Sequence, residues 1–99
     1  MSVFAIAAQL KKMLLGMEKD LGFDTLSESE KSILYAVIDL EGGSAIHSSL
    51  IKSHELTDSL TKPTFHRALK SLVSKGYIIH EDGTKTGLYR FKKANFKTS

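Results

Sequence analysis

The stretch from Thr61 to Lys93 (TKPTFHRALKSLVSKGYIIHEDGTKTGLYRFKK) constrains the fold more than any other part of the chain. Phe65, Ala68, Leu69, Leu72 and Val73 recur three and four apart, so they share one side of a helix. Pro63, His66, Arg67, Lys70 and Ser71 take the other side. Thr61 is placed to cap this helix, and Pro63 is tolerated in a first turn whose N–H groups lack partners anyway. Gly76 ends it. Tyr77-Ile78-Ile79-His80 then opens a strand that turns at Asp82-Gly83 and returns as Leu88-Tyr89-Arg90-Phe91, with Tyr89 and Phe91 assigned to the core.

Upstream, residues 2–21 predict a first amphipathic helix. Val3, Ile6, Ala7, Leu10, Met13, Leu14, Met17 and Leu21 form one stripe, and Phe4, Ala8 and Leu15 form a narrower one beside it. Gly22 stops it. Ser27-Glu28-Ser29-Glu30 fits the capping box, in which a Ser hydroxyl and a Glu carboxylate satisfy each other's free N–H groups. The second helix it starts is expected to bury Ile33, Leu34, Val37, Ile38 and Leu40 and to stop at Gly42-Gly43. Ser44 is read as the cap of a third, shorter helix running through Ile46, Leu50 and Ile51 to about Lys52–Glu55, with Leu56 to Leu60 as a loop. The fold class is α+β and mainly helical. Residues 1–22 form an N-terminal dimerisation helix, and residues 26–93 one compact domain of three helices and a two-stranded hairpin.

Charge sorts along the chain. Residues 1–60 carry five lysines against nine acids, a net −4; residues 61–99 carry nine Lys or Arg against Glu81 and Asp82, a net +7. That polarity points to a polyanionic partner for the C-terminal part. A helix with an apolar back and a basic front, followed by a basic hairpin, suits the grooves of duplex DNA. With no cysteine among 99 residues, a disulfide framework and a thiolate metal site are excluded. The four histidines (His47, His54, His66, His80) match no ligand pair, so neither metal nor cofactor is expected. There is no glycine-rich phosphate loop, nucleophile elbow or carboxylate pair to suggest an enzyme. The apolar start lacks a preceding positive charge and is too short to span a bilayer, so a cytoplasmic, nucleoid-associated protein is expected, without membrane contact.

The phrase Thr61-x-x-Thr64-Phe65-x-Arg67-x-Leu69-x-x-Leu72-x-x-Lys75-Gly76-Tyr77-Ile78 resembles the corresponding phrase of bacterial winged helix-turn-helix regulators, including the multiple-antibiotic-resistance regulator (MarR) type. The likeness covers residues 26 to 93. It implies a DNA-binding transcriptional regulator whose helix, about 61–75, enters the major groove. The wing, about 77–93, would then lie on the adjacent minor groove or backbone. Carried over residue by residue, it implies base or phosphate contact for Lys62, Thr64, His66, Arg67 and Lys70, with Lys85 and Arg90 on the wing. Arg67 is the expected base reader, because a guanidinium pairs bidentately with guanine. Members of that family carry further helices after the wing, whereas this sequence stops soon after Phe96. The expected homodimer therefore rests on the N-terminal helix, through Ile6, Leu10, Met13, Leu14 and Met17, and a small-molecule effector is not expected. Two other readings are a winged-helix interaction module within a larger complex and a replication or partition protein binding iterated DNA sites.

Overall fold

The structure is a computed structural model and describes residues 2–40, 45–81 and 87–92. It is mainly helical, with one small antiparallel sheet. Helix α1 spans Val3–Leu21. It begins where extended Ser2 accepts the Ala5 N–H at 3.1 Å. It ends at Gly22, whose φ of 80° suits a residue without Cβ and lets its N–H reach the Glu18 and Lys19 carbonyls. A single 3-10 turn, Phe23–Thr25, leads to α2, Glu28–Leu40. The capping box forms as expected: Ser27 N–H donates to Glu30 Oε1 at 2.9 Å, and Glu30 N–H to Ser27 Oγ at 3.2 Å.

The third helix departs from expectation. Ile46 is not helical but belongs to a two-residue strand β1, Ile46–His47, and α3 is only Ser48–Lys52. Its cap is His47, whose Nδ1 accepts the Ser49 N–H at 3.1 Å. Residues 53–60 follow as successive turns built around Thr57. This side chain is fully buried, and its hydroxyl donates to the Ile51 carbonyl. Helix α4 spans Lys62–Lys75, and β2 (Ile78–His80) and β3 (Leu88–Phe91) close the fold. The expected stop at Gly42-Gly43, the Ser44 cap, the Asp82-Gly83 turn and Lys85 lie outside the described residues.

Among the described residues the sheet has three strands, not two, in the order β1-β3-β2, all antiparallel. Ile46 pairs with Tyr89, and Ile78, Ile79 and His80 pair with Phe91, Arg90 and Tyr89. Because side chains alternate across a strand, Ile46, Ile78, His80, Tyr89 and Phe91 share the inner face. Arg90, Ile79 and Glu81 take the outer one.

The core is one cluster of Phe23, Leu26, Ile33, Leu34, Ala36, Val37, Ile46, Ile51, Phe65, Ala68, Leu69, Leu72 and Ile78. Each large member contributes about 1.5–3 kcal/mol by leaving water. Tyr89 and Phe91 pack against its edge, as the hairpin alternation predicts. Ile38 and Leu40 do not join it; each is 38% exposed. The apolar spacing marks the correct side of α2, but α4 and α3 cover only its centre. No apolar residue of α1 is buried.

Candidate nucleic-acid interface

Helix α4 carries five of the seven cationic or polar residues expected at a DNA surface. Thr61 Oγ1 accepts the Thr64 N–H at 3.3 Å, Pro63 sits in the first turn, and Gly76 closes the helix at φ 87° with its N–H on the Leu72 and Val73 carbonyls. Phe65, Ala68, Leu69 and Leu72 are buried, which turns Lys62, His66, Arg67 and Lys70 outward, all exposed. Among the described residues, Lys62, Arg67 and Lys70 pair with no acid. His66 lies edge-on to Phe65, with ring centroids 5.4 Å apart. Thr64 differs from these four. It is half-buried, and its hydroxyl accepts that of Thr61 at 2.9 Å, so it serves the helix cap first.

Glu30 ties the end of α4 to α2. Its Oε2 accepts Ser71 Oγ at 2.7 Å and Lys75 Nζ at 2.9 Å, while its Oε1 caps α2. Burial alone pushes this carboxyl upward. The Ser27 N–H, Lys75 and the Ser71 hydroxyl outweigh that and bring its pKa down to about 2. One carboxylate thus ties the first turn of α2 to the last turns of α4. Lys75 is consumed in the tie, so the outward cations are those in the first two and a half turns.

Helix α3 extends the surface, and here sequence reasoning missed residues. A groove of about 450 Å³ separates α3 from α4, lined by Ser48, Ser49, Lys52, Lys62 and His66 among others. Ser49 and Lys52 thus face the same groove as two expected contact residues. With Ile46 read as helical, the start of α3 falls in the wrong place. The usable signal is His47, a capping side chain directly before Ser48-Ser49. Ser48 N–H donates to Gly87 O at 2.8 Å, anchoring α3 to the sheet. A Cβ on Gly87 would stand 3.2 Å from both Ser48 Oγ and the Tyr89 ring, so this close approach favours glycine.

The hairpin residues fare differently. Arg90 is on the outer face of the sheet, with Nε 2.8 Å from Glu81 Oε1, an ion pair by distance that lacks hydrogen-bond alignment. It is therefore engaged by an acid of its own sheet, unlike the α4 cations. Lys85 lies outside the described residues. Three histidines have local tasks: His47 caps α3, His54 bonds Asp39 at 2.8 Å, and His80 stacks on Tyr89 at 4.7 Å. No cluster of three potential metal ligands occurs among the described residues.

Away from this surface, α1 stands largely uncovered. Residues 2–13 are all exposed, including Ile6, Leu10 and Met13; Met17 is exposed too, and Leu14 is half-buried. The attachment is polar. Glu18, the one buried residue of α1, accepts the Tyr35 hydroxyl at 2.7 Å and sits 3.2 Å from Lys31 Nζ. The Tyr35 bond foremost, with Lys31, holds the Glu18 carboxyl below the usual range, against its burial. The molecule is elongated, with a longest extent of 51 Å and a radius of gyration of 14.5 Å. A compact chain of this length has about 13 Å. No helix among the described residues is long and apolar enough to cross a membrane.

No family model, no curated protein and no solved structure matches this chain.

Proposed function

We propose that the chain is a winged helix-turn-helix protein that binds duplex DNA as a homodimer and regulates transcription. The observation that carries this reading is the outer face of α4: Lys62, His66, Arg67 and Lys70 are exposed, with no acid of the described residues neutralising the three permanent cations. Free cations on a helix tied to the body at Glu30 are what release of phosphate counterions requires. In this mechanism α4 enters the major groove, Arg67 reads a base edge, and Lys62 and Lys70 meet phosphates. Ser49 and Lys52, across the groove from Lys62, extend the phosphate track, Lys52 by leaving the Asp58 carbonyl that its Nζ meets at 3.2 Å. The β2–β3 pair is the wing. Arg90 contributes there only by leaving Glu81, which makes it a weaker contact than the α4 residues.

The homodimer reading is supported by α1, whose uncovered apolar residues on a 19-residue helix suit a second copy. Pairing two α1 helices would set two α4 helices about one DNA turn (~34 Å) apart.

A mobility-shift titration at rising salt tests the reading. Binding of random duplex that weakens steeply with salt, together with a preferred sequence recovered from a random pool, supports it. Absence of binding at low salt overturns it and favours a protein-interaction module.

A further inference from the structure

Helix α1 is too small to make a stable dimer alone. Its 19 residues form a rod about 28 Å long and about 11 Å wide. Covering half its circumference buries roughly 500 Å² per chain, whereas a stable pair takes about 800 Å² from each partner. The helix also has two apolar stripes, and pairing through Ile6, Leu10, Met13 and Met17 leaves the second, Phe4, Ala8 and Leu15, facing water. Phe4 is 87% exposed and Leu15 48%.

The missing area has a source in the same chain. A groove of about 530 Å³ runs between α1, α2 and the turn at residues 54–56, lined by Leu14, Ile38 and Leu56 with Asp39 and Glu55 beside them. Ile38 is 38% exposed and Leu56 46%. The groove is pre-shaped, because His54 bridges its walls: Nε2 meets Asp39 at 2.8 Å, and Nδ1 accepts the Leu56 N–H at 3.1 Å. Charge complements shape. The groove carries two acids and no lysine, while the first 17 residues hold Lys11 and Lys12 and no acid.

We propose that this groove receives the N-terminal half of α1 from a second copy of the chain. Phe4 enters between Ile38 and Leu56, and Lys11, two turns along the same side of the helix, lies over Asp39 and Glu55. Each copy carries both arm and groove, so a two-fold pair buries two of each. The proposal rests on the homodimer reading and adds to it where the second stripe goes.

The absence of cysteine makes the test direct. Full-length Phe4→Cys and Leu56→Cys proteins, one carrying a longer tag, are mixed and mildly oxidised. A cross-linked product of intermediate mass is expected, absent when Ser74→Cys replaces Leu56→Cys. Sedimentation equilibrium should show the Leu56→Glu dimer weakened by about tenfold or more, with unchanged circular dichroism of the body. A dimer that gives no mixed product, or that Leu56→Glu leaves equally tight, overturns the groove while sparing α1 pairing. A chain monomeric at all concentrations overturns both.

Discussion

Ser71 and Lys75, one helical turn apart on α4, both donate to the same oxygen of Glu30, at 2.7 and 2.9 Å. The bond network that starts α2 therefore also ties down the last turns of α4, beyond its outward cations.

That relationship gives a pH dependence. The Glu30 pKa is lowered in the folded protein to about 2 from 4.5, so its stabilisation is complete above about pH 4.5 and lost as pH falls toward 2. The shift corresponds to about 3 kcal/mol at most. Urea melts of Glu30→Gln should show a loss of about 2 kcal/mol at pH 7 that shrinks as pH falls through this window. A constant difference from pH 6 to pH 2.5 would show that the charge of Glu30 is not what holds the helices.

Arg67→Ala should weaken binding to a selected site by about 1–3 kcal/mol and relax preference at one base pair. Lys70→Ala should weaken all sequences alike and flatten the salt slope by about one unit. Equal losses for Arg67→Ala on selected and random duplex would remove it as the reader.

Leu10→Glu should abolish the dimer in sedimentation velocity while leaving the thermal transition of the body nearly unchanged. Leu10 is 59% exposed and absent from the core cluster, so the charge meets water in the monomer. A collapse of the body's transition would mean that α1 is part of the fold rather than of the interface.

Thr57→Val keeps the shape of the side chain but removes the hydroxyl that satisfies the Ile51 carbonyl. A loss of about 1–3 kcal/mol is expected, with Thr57→Ser costing less. Chemical denaturation measures both. A neutral valine would show that the turn at residues 53–60 does not depend on this hydroxyl.

The parts of the fold legible in the sequence are those written in nearby residues. Ser27 with Glu30, Thr61 with Thr64, and the stop at Gly76 each need only three or four consecutive positions to be recognised. The basic front of α4 is legible for the same reason, since its apolar back fixes which residues face out. Strand β1 is not, because two residues show no alternation and their partners are Leu88 and Tyr89, far along the chain. The second task of Glu30 was equally hidden, its partners Ser71 and Lys75 standing 41 and 45 positions away. Periodicity assigns Ile38 and Leu40 to the apolar side of α2 but carries no information on how far along that side a neighbour reaches.

Among the described residues α1 is fastened to the body around Glu18, so its first three turns depend on whatever covers them. An isolated helix of that length is marginal in water. Helical content should then rise with protein concentration, through ordering of residues 3–13 upon association. On the proposed reading, dilution would fray this arm while the cations of α4 stayed in place, so a scarce protein would act as a single unit and an abundant one as a braced pair.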